Sequence, residues 1–136
     1  MIDVEARSDL DVDVDVAALV DLLRRVCERL GVARATLGLM IVTAEEMAAI
    51  NGEHRQKPEP TDVLAFPVDG PEALGAWPPD GPPPELGDIV ICPDAAQEPL
   101  GTLAVHGLLH LLGYDHEVDA GDMLALQDTL LAEVAP

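Results

Sequence analysis

The sequence predicts an α+β fold, a small mixed β-sheet of about four strands flanked by helices. Three observations carry this expectation. Short apolar runs alternate along the chain with longer stretches whose apolar residues recur at helical spacing. Capping and turn residues stand at the joints between them. Strands and helices are interspersed, so the sheet must be covered by helices. The 136 residues suit one compact domain over 1–136, and a composition that is 49% hydrophobic can supply its core.

Taken in order, Ile2 to Ala6 alternate apolar and polar as a short strand does. The following DVDVDV run alternates as well and is ambiguous by itself. Val16, Leu19, Val20, Leu22, Leu23, Val26, Cys27 and Leu30 then recur at helical spacing, and Gly31 stands where a helix ends, which predicts a helix from about Val14 to Leu30. ATLGLMIVT reads as a largely buried strand. Thr43 with Glu46 three residues later is a capping-box signature, opening a second helix through MAAINGEHR. The prolines between Gln56 and Pro60 exclude regular helix, and TDVLAFPV reads as a strand ending at or near Pro67. Residues Asp69 to Pro84 are dense in Gly and Pro, an excursion that carries Trp77. GDIVICP is a strand of the buried kind. From Leu100 the pattern turns helical through GTLAVHGLLHLLG, and a last helix runs from roughly Ala120 to Val134.

Composition sets limits on function. The N-terminus MIDVEARSDLDVDVD has no basic start followed by an apolar run, so no signal peptide is expected, and no apolar stretch is long enough to span a bilayer. The expected compartment is the cytoplasm. Cys27 and Cys92 lack CxxC spacing and are read as buried free thiols. There are 26 acidic residues against 7 Lys plus Arg, a formal net charge of −19, where nucleic-acid binders usually show a basic footprint.

Three of the four histidines fall in His106-GLL-His110-LLGYD-His116. His106 and His110 are four apart on an expected helix, so their imidazoles project from one face about a turn apart. Two ring nitrogens at that spacing can reach one zinc ion at roughly 2.0–2.1 Å. Gly113 can end the helix in the left-handed region and let the chain turn His116 back to the same ion. Three imidazoles leave a tetrahedral position open, as catalytic zinc requires. The alternative is packing, but each buried imidazole then needs its own polar partner. The arrangement is zincin-like: HGLLHLLGYDH matches the HExxHxxGxxH pattern of zinc proteases at the three histidines and the glycine. Gly107, however, replaces the glutamate that serves there as general base, which disfavours peptidase chemistry. Asp115 and Glu117 remain candidates for orienting a ring N–H.

Together with HRQKPEPTDVLAFPVDG and LGDIVIC upstream, HGLLHLLGYDH resembles the YbeY family of metal-dependent endoribonucleases, over most of the chain. The resemblance implies one zinc per chain on His106, His110 and His116. It implies that Arg55 lies beside the metal as the residue implicated in RNA cleavage and substrate binding; Lys57, two residues on, reads either as a further substrate contact or as a solvated loop charge. A guanidinium can hold two phosphate oxygens where transition-state charge accumulates, and HRQK is a local basic patch in an acidic chain. Asp62 reads as a turn cap. The implied activity is endonucleolytic hydrolysis of single-strand-type RNA in rRNA 3′-end maturation and ribosome quality control. Ribosomal RNA and the ribosome or its proteins would be the partners, with no DNA and no membrane. Two other readings stand beside it: a ribosome-associated binding factor with a structural metal, and a zinc hydrolase of peptides. In one respect the chain departs from the family pattern. Where relatives carry a longer helical segment before the histidine helix, only PDAAQEPLGTLA intervenes here.

Overall fold

The computed structural model describes residues 2–8, 14–32, 34–55, 61–69, 83–114 and 121–134, with the backbone alone at 54, 55 and 134. Strands β1 (Ile2–Ser8), β2 (Ala35–Ile41), β3 (Val63–Pro67) and β4 (Glu85–Ile91) form one sheet in the order β1-β2-β4-β3. β1, β2 and β4 run parallel, and β3 pairs antiparallel with β4, giving the mixed four-stranded sheet that the sequence predicts. The described helices are α1 (Val16–Arg29), α2 (Ala44–Arg55), α3 (Leu100–Leu111) and α4 (Asp122–Val134).

The parallel pairing of β1 with β2 needs a crossover, which α1 supplies. Asp15 caps it, its Oδ1 accepting from the Ala18 N–H at 3.0 Å. Leu19, Leu23, Val26 and Cys27 are its buried stripe. The Arg24 Nε–H donates to the Ile2 carbonyl at 3.2 Å, fastening the helix to the start of β1. The helix closes as expected at Gly31, with φ +81°. The Val32 N–H reaches the Cys27 carbonyl at 2.9 Å and the Gly31 N–H the Glu28 carbonyl at 3.1 Å, the Schellman arrangement. The chain thus enters the helix two residues later than periodicity suggests, because Asp15 spends its side chain on the cap.

Alternation along the strands sorts the two sheet faces. Leu37, Leu39 and Ile41 of β2 join Ile89 and Ile91 of β4 in the main core, beneath α1, α3 and α4. Leu86 also lies in that core although its parity with Ile89 should send it to the other face. A bulge resolves this. The register shifts between Thr36 and Leu37, whose partners are Glu85 and Gly87, and Gly87 sits at φ +136°. A Cβ there would collide with the Phe66 carbonyl oxygen, so the position requires glycine. The opposite face carries a smaller cluster of Val42, Met47, Leu64, Val90 and Cys92 under α2. α2 opens at the expected cap, Thr43 Oγ1 accepting from the Glu46 N–H at 3.1 Å. The Glu46 carboxylate lies 3.7 Å from the Arg7 guanidinium.

From β4 the chain reaches α3 through a short 3-10 turn, Pro93–Ala95. Both cysteines are buried and free, as expected. Burial, aided by the neighbouring Glu28 charge, pushes the Cys27 thiol up to about 12. Among the described residues no helix is long and apolar enough to cross a membrane. Most of the Gly/Pro run with Trp77, the first half of the DVDVDV run, Lys57, Asp115, His116 and Glu117 lie outside the described residues.

Candidate metal centre

α3 is apolar nearly all round and is buried nearly all round. Leu103, Ala104, Val105, Gly107, Leu108, Leu109 and Leu111 are all buried, between the sheet, α1 and α4. What remains half-exposed in its later turns is His106 and His110, one turn apart on the same face. Packing on the other sides therefore fixes the helix rotation that presents the two imidazoles together.

Their ring centroids are 4.8 Å apart with planes at 78°, and the two Nε2 atoms face each other at 3.2 Å. Two nitrogens bound to one tetrahedral ion at about 2.0–2.1 Å lie roughly 3.3–3.4 Å apart, close to the spacing of this pair. His106 Nδ1 meets the Oε1 of Gln127 on α4 at 2.7 Å. An amide oxygen only accepts, so this contact favours the His106 tautomer with its proton on Nδ1, which leaves Nε2 as the acceptor on the side of His110. The neutral His110 Nε2–H can donate to His106 Nε2 across this gap, and a metal ion held by both rings would take the place of that proton.

The helix ends as the sequence predicts. Gly113 has φ +95°, the Tyr114 N–H donates to the Leu109 carbonyl and the Gly113 N–H to the His110 carbonyl, each at 3.0 Å. His116 lies beyond the described residues, and among those described no three His, Cys, Asp or Glu side chains gather as a metal group. Arg55 is the last residue of α2, which covers the opposite sheet face from α3. Asp62 is a cap: its Oδ1 accepts from the Val63 N–H at 2.8 Å.

Two features escaped sequence reasoning. Gln127 is one, although its spacing with the buried Met123 and Leu130 puts a polar residue on a core stripe, which was the available signal. The other is where Gly107 faces. A Cβ there would stand 2.8 Å from Ile89 Cγ2 and 3.4 Å from Val63 Cγ2, so the position looks into the sheet. A glutamate at 107 would be driven into the core.

Against known proteins, the family model described as Endoribonuclease YbeY matches residues 4–135. The Endoribonuclease YbeY of Acidothermus cellulolyticus is 43% identical over 145 aligned positions, covering 94% of this chain and 88% of that protein. Its namesake from Mycobacterium tuberculosis is 38% identical, covering 96% of this chain and 82% of the relative. The solution structure of TM1509 from Thermotoga maritima superposes with a TM-score of 0.60 at 24% identity, over 98% of this chain and 89% of that one, which supports the fold. With the family model spanning nearly the whole chain and relatives near 40% identity, the chain belongs to the YbeY family of endoribonucleases.

Proposed function

We propose that this chain is a single-domain, zinc-dependent endoribonuclease of the cytoplasm that cuts ribosomal RNA precursors. The observation that carries the metal reading is the pair of imidazole Nε2 atoms 3.2 Å apart on one helix face. His106, His110 and His116 hold the ion, which when bound supplies Lewis acidity at a phosphate oxygen or a water of lowered pKa. The chain's own contribution is positional. α3, wedged between sheet and helices, holds two imidazoles at fixed spacing, and the Schellman turn at Gly113 ends the helix three residues before His116 in the sequence.

Arg55, with Lys57 two residues on, engages the phosphate. Its planar guanidinium suits two oxygens of the scissile group, where negative charge grows. The net charge of −19 works against non-specific RNA binding, so affinity rests on this local patch and falls steeply with salt. The ribosome and its basic proteins fit the acidic exterior as partners, and a role in ribosome quality control follows from that setting. Peptide hydrolysis is the weaker reading because Gly107 leaves no room for a general base at that position.

Metal analysis and RNA cleavage on wild type, Arg55→Ala and His110→Ala test this reading together. The expected result is about one zinc per wild-type chain, lost with His110→Ala, and cleavage abolished in an Arg55→Ala protein that keeps its zinc. Undiminished RNA processing by zinc-loaded Arg55→Ala would favour a binding factor with a structural metal.

A further inference from the structure

We propose that Gln127 is a positioning residue of the metal centre: it selects the tautomer of His106 and thereby aims Nε2 at the ion. The inference rests on the metal reading above and adds a residue from a different helix. Gln127 is one of two buried polar residues among those described, 6% exposed on the stripe of α4 that also buries Met123 and Leu130. Most buried polar side chains have a hydrogen-bond partner, as Gln127 does. That partner is His106 Nδ1, at 2.7 Å, the short end of the range for a hydrogen bond between nitrogen and oxygen.

The chemistry follows from the two ring nitrogens. Only a nitrogen without a proton can bind a metal ion, and a neutral imidazole with no bias divides its proton between Nδ1 and Nε2. An acceptor at Nδ1 holds the proton there and also fixes the ring plane. Partners of this kind typically change metal affinity ~10–100-fold when removed. Gln127 is a neutral acceptor. It orients the ring without bringing the negative charge that a carboxylate would add beside the ion. An ion held by neutral imidazoles and backed by a neutral amide keeps its full positive charge for a phosphate ligand.

The test compares wild type, Gln127→Met and Gln127→Glu as full chains. Metal-free protein is titrated with zinc against a chromophoric chelator, and the His106 ring nitrogens are observed by nitrogen-15 NMR before zinc is added. The metal-free wild type should show the proton of His106 on Nδ1. Gln127→Met, close in volume but without an acceptor, should lose that preference and bind zinc ~10–100-fold more weakly. Gln127→Glu keeps the acceptor and should restore the tautomer with zinc affinity at least equal to wild type. Wild-type affinity in Gln127→Met, while wild type itself binds zinc, overturns the positioning role and leaves the metal reading intact. A wild type that takes up no zinc overturns both. Should Gln127→Met not fold, zinc binding by Gln127→Glu weaker than wild type still overturns the proposal.

Discussion

Replacing Gly107 with alanine probes whether the face of α3 opposite the histidines sets their position. Two effects oppose each other. In a helix interior alanine is favoured over glycine by about 1 kcal/mol, so an unhindered Gly→Ala change stabilises. Here the new Cβ would lie 2.8 Å from Ile89 Cγ2, closer than packed carbon atoms come, and 3.4 Å from Ile89 Cγ1 and Val63 Cγ2. Ile89 is fully buried, and its Cγ2 sits on a branched carbon in a central strand, so it cannot swing aside. Overpacking of this kind costs roughly 1–3 kcal/mol. The expected net effect is a loss of about 1 kcal/mol, opposite in sign to the propensity effect. Urea denaturation with an unchanged m-value reads it directly. Combining the change with Ile89→Ala, itself expected to cost about 2–5 kcal/mol, should give a double mutant more stable than the sum of the two losses, because the new methyl fills part of the vacated space. A Gly107→Ala protein more stable than wild type, or strict additivity in the cycle, would refute the idea that α3 is seated on the sheet at this residue.

Asp15→Ala removes the acceptor for the Ala18 N–H and should lower stability by about 1 kcal/mol in the same urea assay. The Cys27 thiol, raised from 9.0 to about 12 in the fold, should resist alkylation by maleimide until the protein unfolds. The folded state binds that proton more tightly than the unfolded state. This contribution to stability is therefore complete below pH 9 and is lost as pH climbs from 9 toward 12, by at most about 1.4 kcal/mol per pH unit. A Cys27→Ala protein should show a shallower alkaline decline, and an identical decline would disprove the assignment.

What the sequence made legible was whatever has a short-range cause. The stop at Gly31, the cap at Thr43, the turn at Gly113 and the period of α1 all depend on residues within a few positions of one another, and each appears where expected. The facing of His106 and His110 was legible for the same reason, since four residues on a helix are one turn. What lay hidden depends on partners far along the chain. The bulge at Leu86 and Gly87 follows from pairing with β2, roughly fifty residues earlier, and from the closeness of the Phe66 carbonyl. The role of Gly107 as a packing residue needs Ile89 and Val63 on the sheet. Gln127 reaches His106 across 21 residues, and no local pattern announces such a contact.

That last contact has a consequence for the order in which the site is made. His106 and His110 leave the ribosome before Gln127 does, and α3 is already sequence-complete when α4 has yet to emerge. During that interval the two imidazoles can exist on a helix, but the acceptor that assigns the proton of His106 has not been synthesised. If Gln127 positions His106 as proposed, oriented metal capture is linked to the arrival of α4. A chain truncated before Met123 keeps both of these histidines and lacks the acceptor that distinguishes the two ring nitrogens of His106.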